Sequence, residues 1–120
     1  MALRGIRGAT CLAADDPAEM RAAVVELLNQ MLERNAVSDE ALVSVLLTST
    51  PDLVSAFPAV GAREFGLKDV PLMCAQEIDV AGALPRVVRI LIHAELNIPR
   101  AEVHHVYLRG AEVLRPDVAS

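Results

Sequence analysis

The sequence predicts an α+β chain, a small mixed β-sheet carrying one long amphipathic helix. Three observations lead there. Apolar residues recur at helical spacing in only one long stretch, between Asp16 and Asn35. The other apolar segments are short, rich in β-branched and aliphatic residues, and bounded by Gly, Pro, Asn and Asp. Their order reads β-α-β-turn-β-β-β, and one long helix cannot cover both faces of such a sheet, so the second face is expected to be wet or to meet a partner.

Leu3 to Thr10 reads as the first strand, interrupted by Gly5 and Gly8, which mark a bulge or a close approach of something else. The helix follows. Asp16 is its expected N-cap, Pro17 suits the first helical position, and Glu19 stands where a capping-box Glu belongs. Met20, Val24, Leu27, Leu28 and Met31 form its apolar stripe, with Glu26, Asn29, Gln30 and Glu33 on the other side. Asn35 is expected to stop it in a left-handed conformation. Ala41 to Thr50 reads as a largely buried strand ending at Pro51-Asp52. Phe57 to Phe65 allows one or two helical turns closed by Gly66. Val70 to Ala75 is a short strand. After Gly82 and Pro85, Val87 to Ile92 is the strongest strand signal. A turn over Pro99 to Glu102 leads to a last strand, Val103 to Leu108. No internal repeat, linker or low-complexity tract is visible, so residues 1–120 are read as one domain.

Composition narrows the function classes. Of the 120 residues 53% are hydrophobic, with a mean hydropathy of +0.38. That is more apolar material than one small core hides, which favours oligomerisation. With no Trp, one Tyr, two Phe and a net charge of −5, the chain lacks both the basic surface and the stacking groups of a general nucleic-acid binder. No apolar run approaches the ~18 residues of a membrane span, and Met1 to Thr10 lacks the apolar stretch of a signal peptide. Cys11 and Cys74 form neither a metal-type spacing nor a disulfide framework, so a soluble protein of the reducing cytoplasm is expected. Of the 11 cationic residues only Lys68 is lysine. Codon bias explains such a ratio, as does bidentate recognition of carboxylates, at which Lys is poor.

Several charges fall where strands should be dry. Arg89 lies in the aliphatic run Val87 to Ile92. It is either an arginine reaching solvent or a structural salt bridge, or a cation held in a low-dielectric cleft for an anionic ligand. Arg4 and Arg7 point to opposite faces of their strand, as do Arg86 and Arg89. Glu77 is a candidate acceptor for a hydroxyl, or else the partner of an Arg. Cys74 is a weak donor or a small buried hydrophobe. These two cannot share a face of a regular strand, so the strand must bulge or end between them. Tyr107 is the sole Tyr, and its neighbours His104 and His105 are read as structural or surface residues, because an adjacent pair points two ways and makes a poor metal site. There is no phosphate loop, zinc-protease motif or nucleophile elbow. The residues alone stop at an oligomer that binds a carboxylate.

Five blocks carry a resemblance beyond that. Arg4-Gly5-Ile6-Arg7-Gly8-Ala9-Thr10 opens the chain. Thr50-Pro51-Asp52-Leu53 with Ala56-Phe57-Pro58-Ala59 and Arg63 follows, then Val70-Pro71-Leu72-Met73-Cys74-Ala75-Gln76-Glu77. Leu84-Pro85-Arg86-Val87-Val88-Arg89 is the fourth block. His105-Val106-Tyr107-Leu108 with Leu114-Arg115-Pro116-Asp117 is the last. Together, and in this order, they resemble the monofunctional chorismate mutases of the Bacillus type. The resemblance implies a homotrimer forming a pseudo α/β-barrel, with sheets inside, helices outside and active sites between subunits. It implies the Claisen rearrangement of chorismate to prephenate, with no cofactor, no metal and no covalent intermediate.

Carried onto these positions, the resemblance makes Arg89, Glu77 and Cys74 catalytic. Arg89 would meet the ether oxygen of the breaking bond, and Glu77 and Cys74 the ring hydroxyl. Arg7 and Tyr107 would bind one carboxylate. Arg63 and Arg115 would assist carboxylate binding or close the cleft. Phe57, Ala59, Leu72, Met73 and Leu114 would form its walls. Val60 stands where the family carries charged residues, so any contact from that side chain is missing, and a short tail ending at Ser120 is expected to cap the cleft less. Two other classes remain open at this stage: a trimeric carboxylate binder without chemistry, and a small imine deaminase of similar trimeric build. The full set Arg7, Cys74, Glu77, Arg89 and Tyr107 favours the mutase.

Overall fold

The computed structural model describes residues 1–115. Its sheet is mixed, as expected, with β1 (Ala2–Cys11), β2 (Leu42–Ser49), β3 (Leu72–Gln76), β4 (Val87–Leu96) and β5 (Val106–Leu108) in the order β3-β2-β4-β1-β5. The central strand β4 runs antiparallel to both β1 and β2, while β3 and β5 join the two edges in parallel. The helix α1 (Pro17–Arg34) packs on one face, with the short α2 (Ala59–Phe65) against it.

Alternation along the strands sorts residues between two faces. On the helix side, Ile6 of β1, Val45 and Leu47 of β2 and Val88, Ile90 and Ile92 of β4 meet Met20, Val24, Leu27, Leu28 and Met31 of α1 in one buried core. Each such side chain contributes on the order of 1.5–3 kcal/mol by leaving water. Gly8 belongs to this side because a Cβ there would overlap the Met31 sulfur. Among the described residues the other face carries no α-helix. It holds Arg7, Leu46, Thr48, Arg89 and Leu91, together with a polar pair, Ser44 Oγ and His93 Nδ1, 3.0 Å apart. A small second cluster of Ala9, Val87, Tyr107 and Ala111 closes that face at its β5 end.

The helix start follows the sequence closely. Asp16 accepts the Glu19 N–H at 2.8 Å. The Glu19 carboxylate reaches further back than a capping box requires, to the N–H groups of Ala13 and Ala14. The helix end departs from expectation. Asn35 has φ −108°, and the left-handed residue is Ala36 at φ 51°. The Asn35 amide is engaged elsewhere, donating to the carbonyls of Met31 and His104 and accepting the His104 N–H, each at 2.8 Å. That clamp also corrects the last strand, which begins only at Val106, because the backbone groups of His104 bond Asn35 rather than β1.

Gly61 of α2 approaches α1 so closely that a Cβ would stand 2.7 Å from Val24 Cβ and 2.8 Å from its Cγ1. Two Cβ positions cannot both yield, so Gly61→Ala should separate the helices at a cost of about 1–3 kcal/mol. Calorimetry should show a melting temperature lowered by several degrees. An unchanged melting temperature would show that α2 is not held by this contact.

Candidate active site

Arg89 sits mid-strand on β4, opposite Ala9 of β1 and Thr48 of β2, on the face without a helix. It is neither an edge residue nor a core one, and its side chain is 47% exposed. Its Nε lies 3.3 Å from Glu77 Oε2, and Thr48 Oγ1 donates to the same oxygen at 2.7 Å. The Glu77 side chain is only 20% exposed. The chain delivers it by ending β3 at Gln76 and bonding the Glu77 N–H to the Ser49 carbonyl at 2.9 Å. The strand thus ends between Cys74 and Glu77, one of the two outcomes the sequence allowed.

Arg7 pairs with Leu91, two residues along β4 from Arg89. The two arginines are diagonal neighbours on one face, with Cα atoms roughly 7–8 Å apart. They line a cavity of about 270 Å³, closed by Thr48, Tyr107, Leu114 and Arg115. Its floor is strand backbone, so neither guanidinium base can drift. At this size the cavity lies just below the ~300–1,000 Å³ of typical small-molecule sites.

The remaining candidates lie elsewhere on the same chain. Leu47 is the register partner of Cys74, whose side chain packs toward the helix-side core. Cys74 also borders a separate hollow of about 470 Å³ with Phe57, Pro58, Ala75 and Gln76. Phe57 is 73% exposed there. Arg63 and Leu72 line a third hollow, beside Lys68. Met73 is exposed on β3, and Ala59 is buried at the start of α2, offering almost no surface to a ligand. Arg7 and Cys74 stand on strands three intervals apart, roughly 14 Å at ordinary sheet spacing, and on opposite faces. Within one chain the candidates therefore divide between the Arg7–Arg89 cavity and the region of β3, α2 and the loop before it, which holds the other two hollows. Pro116 and Asp117 of the last sequence block lie outside the described residues.

Three contributors had no signal of their own in the sequence. Thr48 orients Glu77, which only the β2–β4 register could reveal. His105 Nδ1 accepts the Arg7 N–H at 3.0 Å. The Asp15 carboxylate accepts the N–H groups of Val54 and Ser55 and the Ser55 hydroxyl, at 3.2, 3.1 and 2.7 Å, and so shapes the loop leading to Phe57. Near the cavity, burial and then the Glu112 charge raise the Cys11 thiol pKa, against the opposing pull of Arg86 and Arg89.

Comparison with known proteins fits this geometry. The family model of chorismate mutase type I matches residues 3–118. The chain belongs to that family. It is 49% identical to the chorismate mutase AroH of Thermus thermophilus over 119 residues, 98% of each chain. It is 40% identical to that of Bacillus subtilis (strain 168) over 120 residues, covering 99% of this chain and 94% of the relative. Among solved structures, a chorismate mutase from Clostridium thermocellum superposes with a TM-score of 0.89 at 38% identity, covering 91% of this chain and 97% of that one.

The Ser55 hydroxyl, followed by the Val54 N–H, holds the Asp15 carboxyl below its ordinary pKa of 3.8. A carboxyl lowered on folding adds stability above its unfolded pKa and loses it as pH falls through the folded value. Asp15→Ala should therefore lower the melting temperature at pH 7, and the difference from wild type should vanish in the acid range below pH 3.8. Because the loop carries Phe57, kcat/KM for chorismate should also fall about threefold to tenfold, the scale of a lost hydrogen bond or two. A variant with native kcat/KM would show that the loop needs no such anchor.

Proposed function

We propose that this chain, a chorismate mutase by family, performs its rearrangement of chorismate to prephenate in clefts that two subunits build together, within a homotrimer. The observation that carries this reading is the pairing of Arg89 with Glu77 beside Arg7 on an exposed strand face. A mere carboxylate binder needs anion-binding arginines but not a further cation aimed at a neutral ether.

Arg89 meets the ether oxygen, where negative charge grows as the C–O bond breaks. A guanidinium fixed on a strand stabilises that charge without the solvent reorganisation that water would require. Glu77, oriented by Thr48, accepts the ring hydroxyl, and Cys74 of the neighbouring copy's Phe57 hollow is a further donor to it. Arg7 and Tyr107 take one carboxylate, and Arg63 and Arg115 assist with the other or close the cleft. Phe57, Leu72, Met73 and Leu114 hold the folded conformer, while Ala59 is too buried to join them. The reaction is unimolecular, so restricting the substrate to a near-attack shape lowers the barrier directly. No step needs a metal, a cofactor or a covalent intermediate.

The separation of the two groups supports sharing between subunits. The Phe57 hollow of one copy and the Arg7 cavity of its neighbour are unlike surfaces, and a contact between unlike surfaces closes only as a ring, of which a trimer is the smallest above two. The chain's apolar content and its helix-free sheet face favour the same assembly. No helix among the described residues is long and apolar enough to cross a membrane. Both cysteines are free, which supports a cytoplasmic location.

The direct test is purified protein with chorismate, following loss of the substrate's ultraviolet absorbance and assaying prephenate. Arg89→Lys should lower kcat at least ~100-fold, because a point charge does not reproduce the guanidinium fork. A near-native kcat would remove Arg89 from the reaction. Glu77→Ala should cut kcat/KM while light scattering still reports a trimer. Dissociation to monomers would instead make Glu77 a structural partner of Arg89.

A further inference from the structure

We propose that His105 is a positioning residue for Arg7, and that the acceptor on its ring links carboxylate binding to pH. The inference rests on the reading of Arg7 as a carboxylate-binding residue. Its basis is the edge where β5 joins β1. Pairing begins at Gly8 with Val106, one residue too late to satisfy the Arg7 N–H. His105 Nδ1 takes that N–H at 3.0 Å, so the imidazole replaces the missing strand at the residue whose side chain lines the cavity. The His105 segment is itself fixed from behind, since the Asn35 side chain bonds both backbone groups of His104. A continuous set of hydrogen bonds thus runs from the end of α1 through 104–105 to Arg7.

An Nδ1 that accepts carries no proton, so the ring is neutral with its proton on Nε2. Protonation would turn Nδ1 into a donor facing another donor and break the contact. It would also add a cation beside those already present. The charged groups around the ring are Arg7 from β1 and Arg115 beyond the turn Ala111–Leu114, with His104 alongside. Burial, followed by Arg7 and Arg115, accordingly holds the imidazole below its ordinary pKa of 6.5. The neutral, accepting form persists at neutral pH and is lost only on acidification.

The test compares kcat and KM across pH for the wild type, His105→Leu and His105→Asn, with the Arg7 backbone amide resonance followed in the ligand-free protein. At neutral pH His105→Leu should raise KM for chorismate about fivefold to tenfold with kcat little changed, the scale of one lost hydrogen bond. His105→Asn supplies an oxygen near the Nδ1 position and should recover most of that loss. It should also abolish the acid rise in KM below pH 6.5 expected of the wild type, because Asn does not titrate. In the wild type the Arg7 amide resonance should move over the same acid range. A native KM in His105→Leu, or an acid rise retained in His105→Asn, overturns the proposal. Should His105→Leu fail to assemble, the His105→Asn profile and the Arg7 resonance decide alone. Arg7→Gln in the same assay separates the two ways of failing. If it leaves KM unchanged, the carboxylate reading of Arg7 is wrong and this inference goes with it; if KM rises there but not in His105→Leu, only the role of His105 is wrong.

Discussion

One layer of helix covers one face of the sheet, and the rest of the molecule answers to that asymmetry. The α1 side is a closed aliphatic core in which even Gly8 and Gly61 are fixed by close approach. Among the described residues no α-helix buries the opposite face, and there β4, the most enclosed strand, carries Arg89 in the open. A guanidinium at the same sheet position on the core side would face a prohibitive desolvation cost. Alternation along the strand therefore separates two tasks, with stability on one face and a charged, rigidly based site on the other.

The charge on that face is kept usable rather than neutralised. Arg89 has Glu77 at 3.3 Å but stays half exposed, and Thr48 shares the carboxylate oxygen from the neighbouring strand. A fully buried, fully paired ion pair would hold its partners together and offer little to a ligand. Here the partners are fixed by backbone, Arg89 by two flanking strands and Glu77 by its N–H to Ser49. Such preorganisation is what electrostatic stabilisation of a transition state requires. The sequence-distant anchors act in the same sense: Asp15 shapes the loop before Phe57, and Asn35 sets the segment that reaches Arg7.

Much of this was legible in the sequence. Periodicity located α1 to the residue, and the β-branched runs located every strand, because burial imposes both patterns locally. Arg89 stood out as a charge in an aliphatic run, and the impossibility of Cys74 and Glu77 sharing a regular strand face left a bulge or a strand end between them, of which the end at Gln76 is the one realised. What stayed hidden depends on pairing rather than pattern. Thr48 matters only because β2 lies in register with β4, and His105 only because β5 begins one residue late. The same cause shortened the last strand and moved the left-handed residue from Asn35 to Ala36, since a long-range clamp outweighed the local preference of Asn. The five sequence blocks named the family and implied clefts shared between subunits, yet which residues belong to which region of one chain emerged only from the strand order and register.

That division is the centre of the account, and subunit mixing tests it most directly. Arg89→Ala should disable the cavity of its own chain, and a charge placed at the other region, as in Phe57→Asp, should disable that half. Each variant alone should be nearly inactive. Unfolded together and reassembled, they should regain about a quarter of wild-type activity, the share of clefts that draw both intact halves from different chains in a random ring. Restored activity of that order would establish that each cleft is built by two subunits. Reassembled mixed oligomers that remain as inactive as their parents would place both halves in one chain and contradict the account.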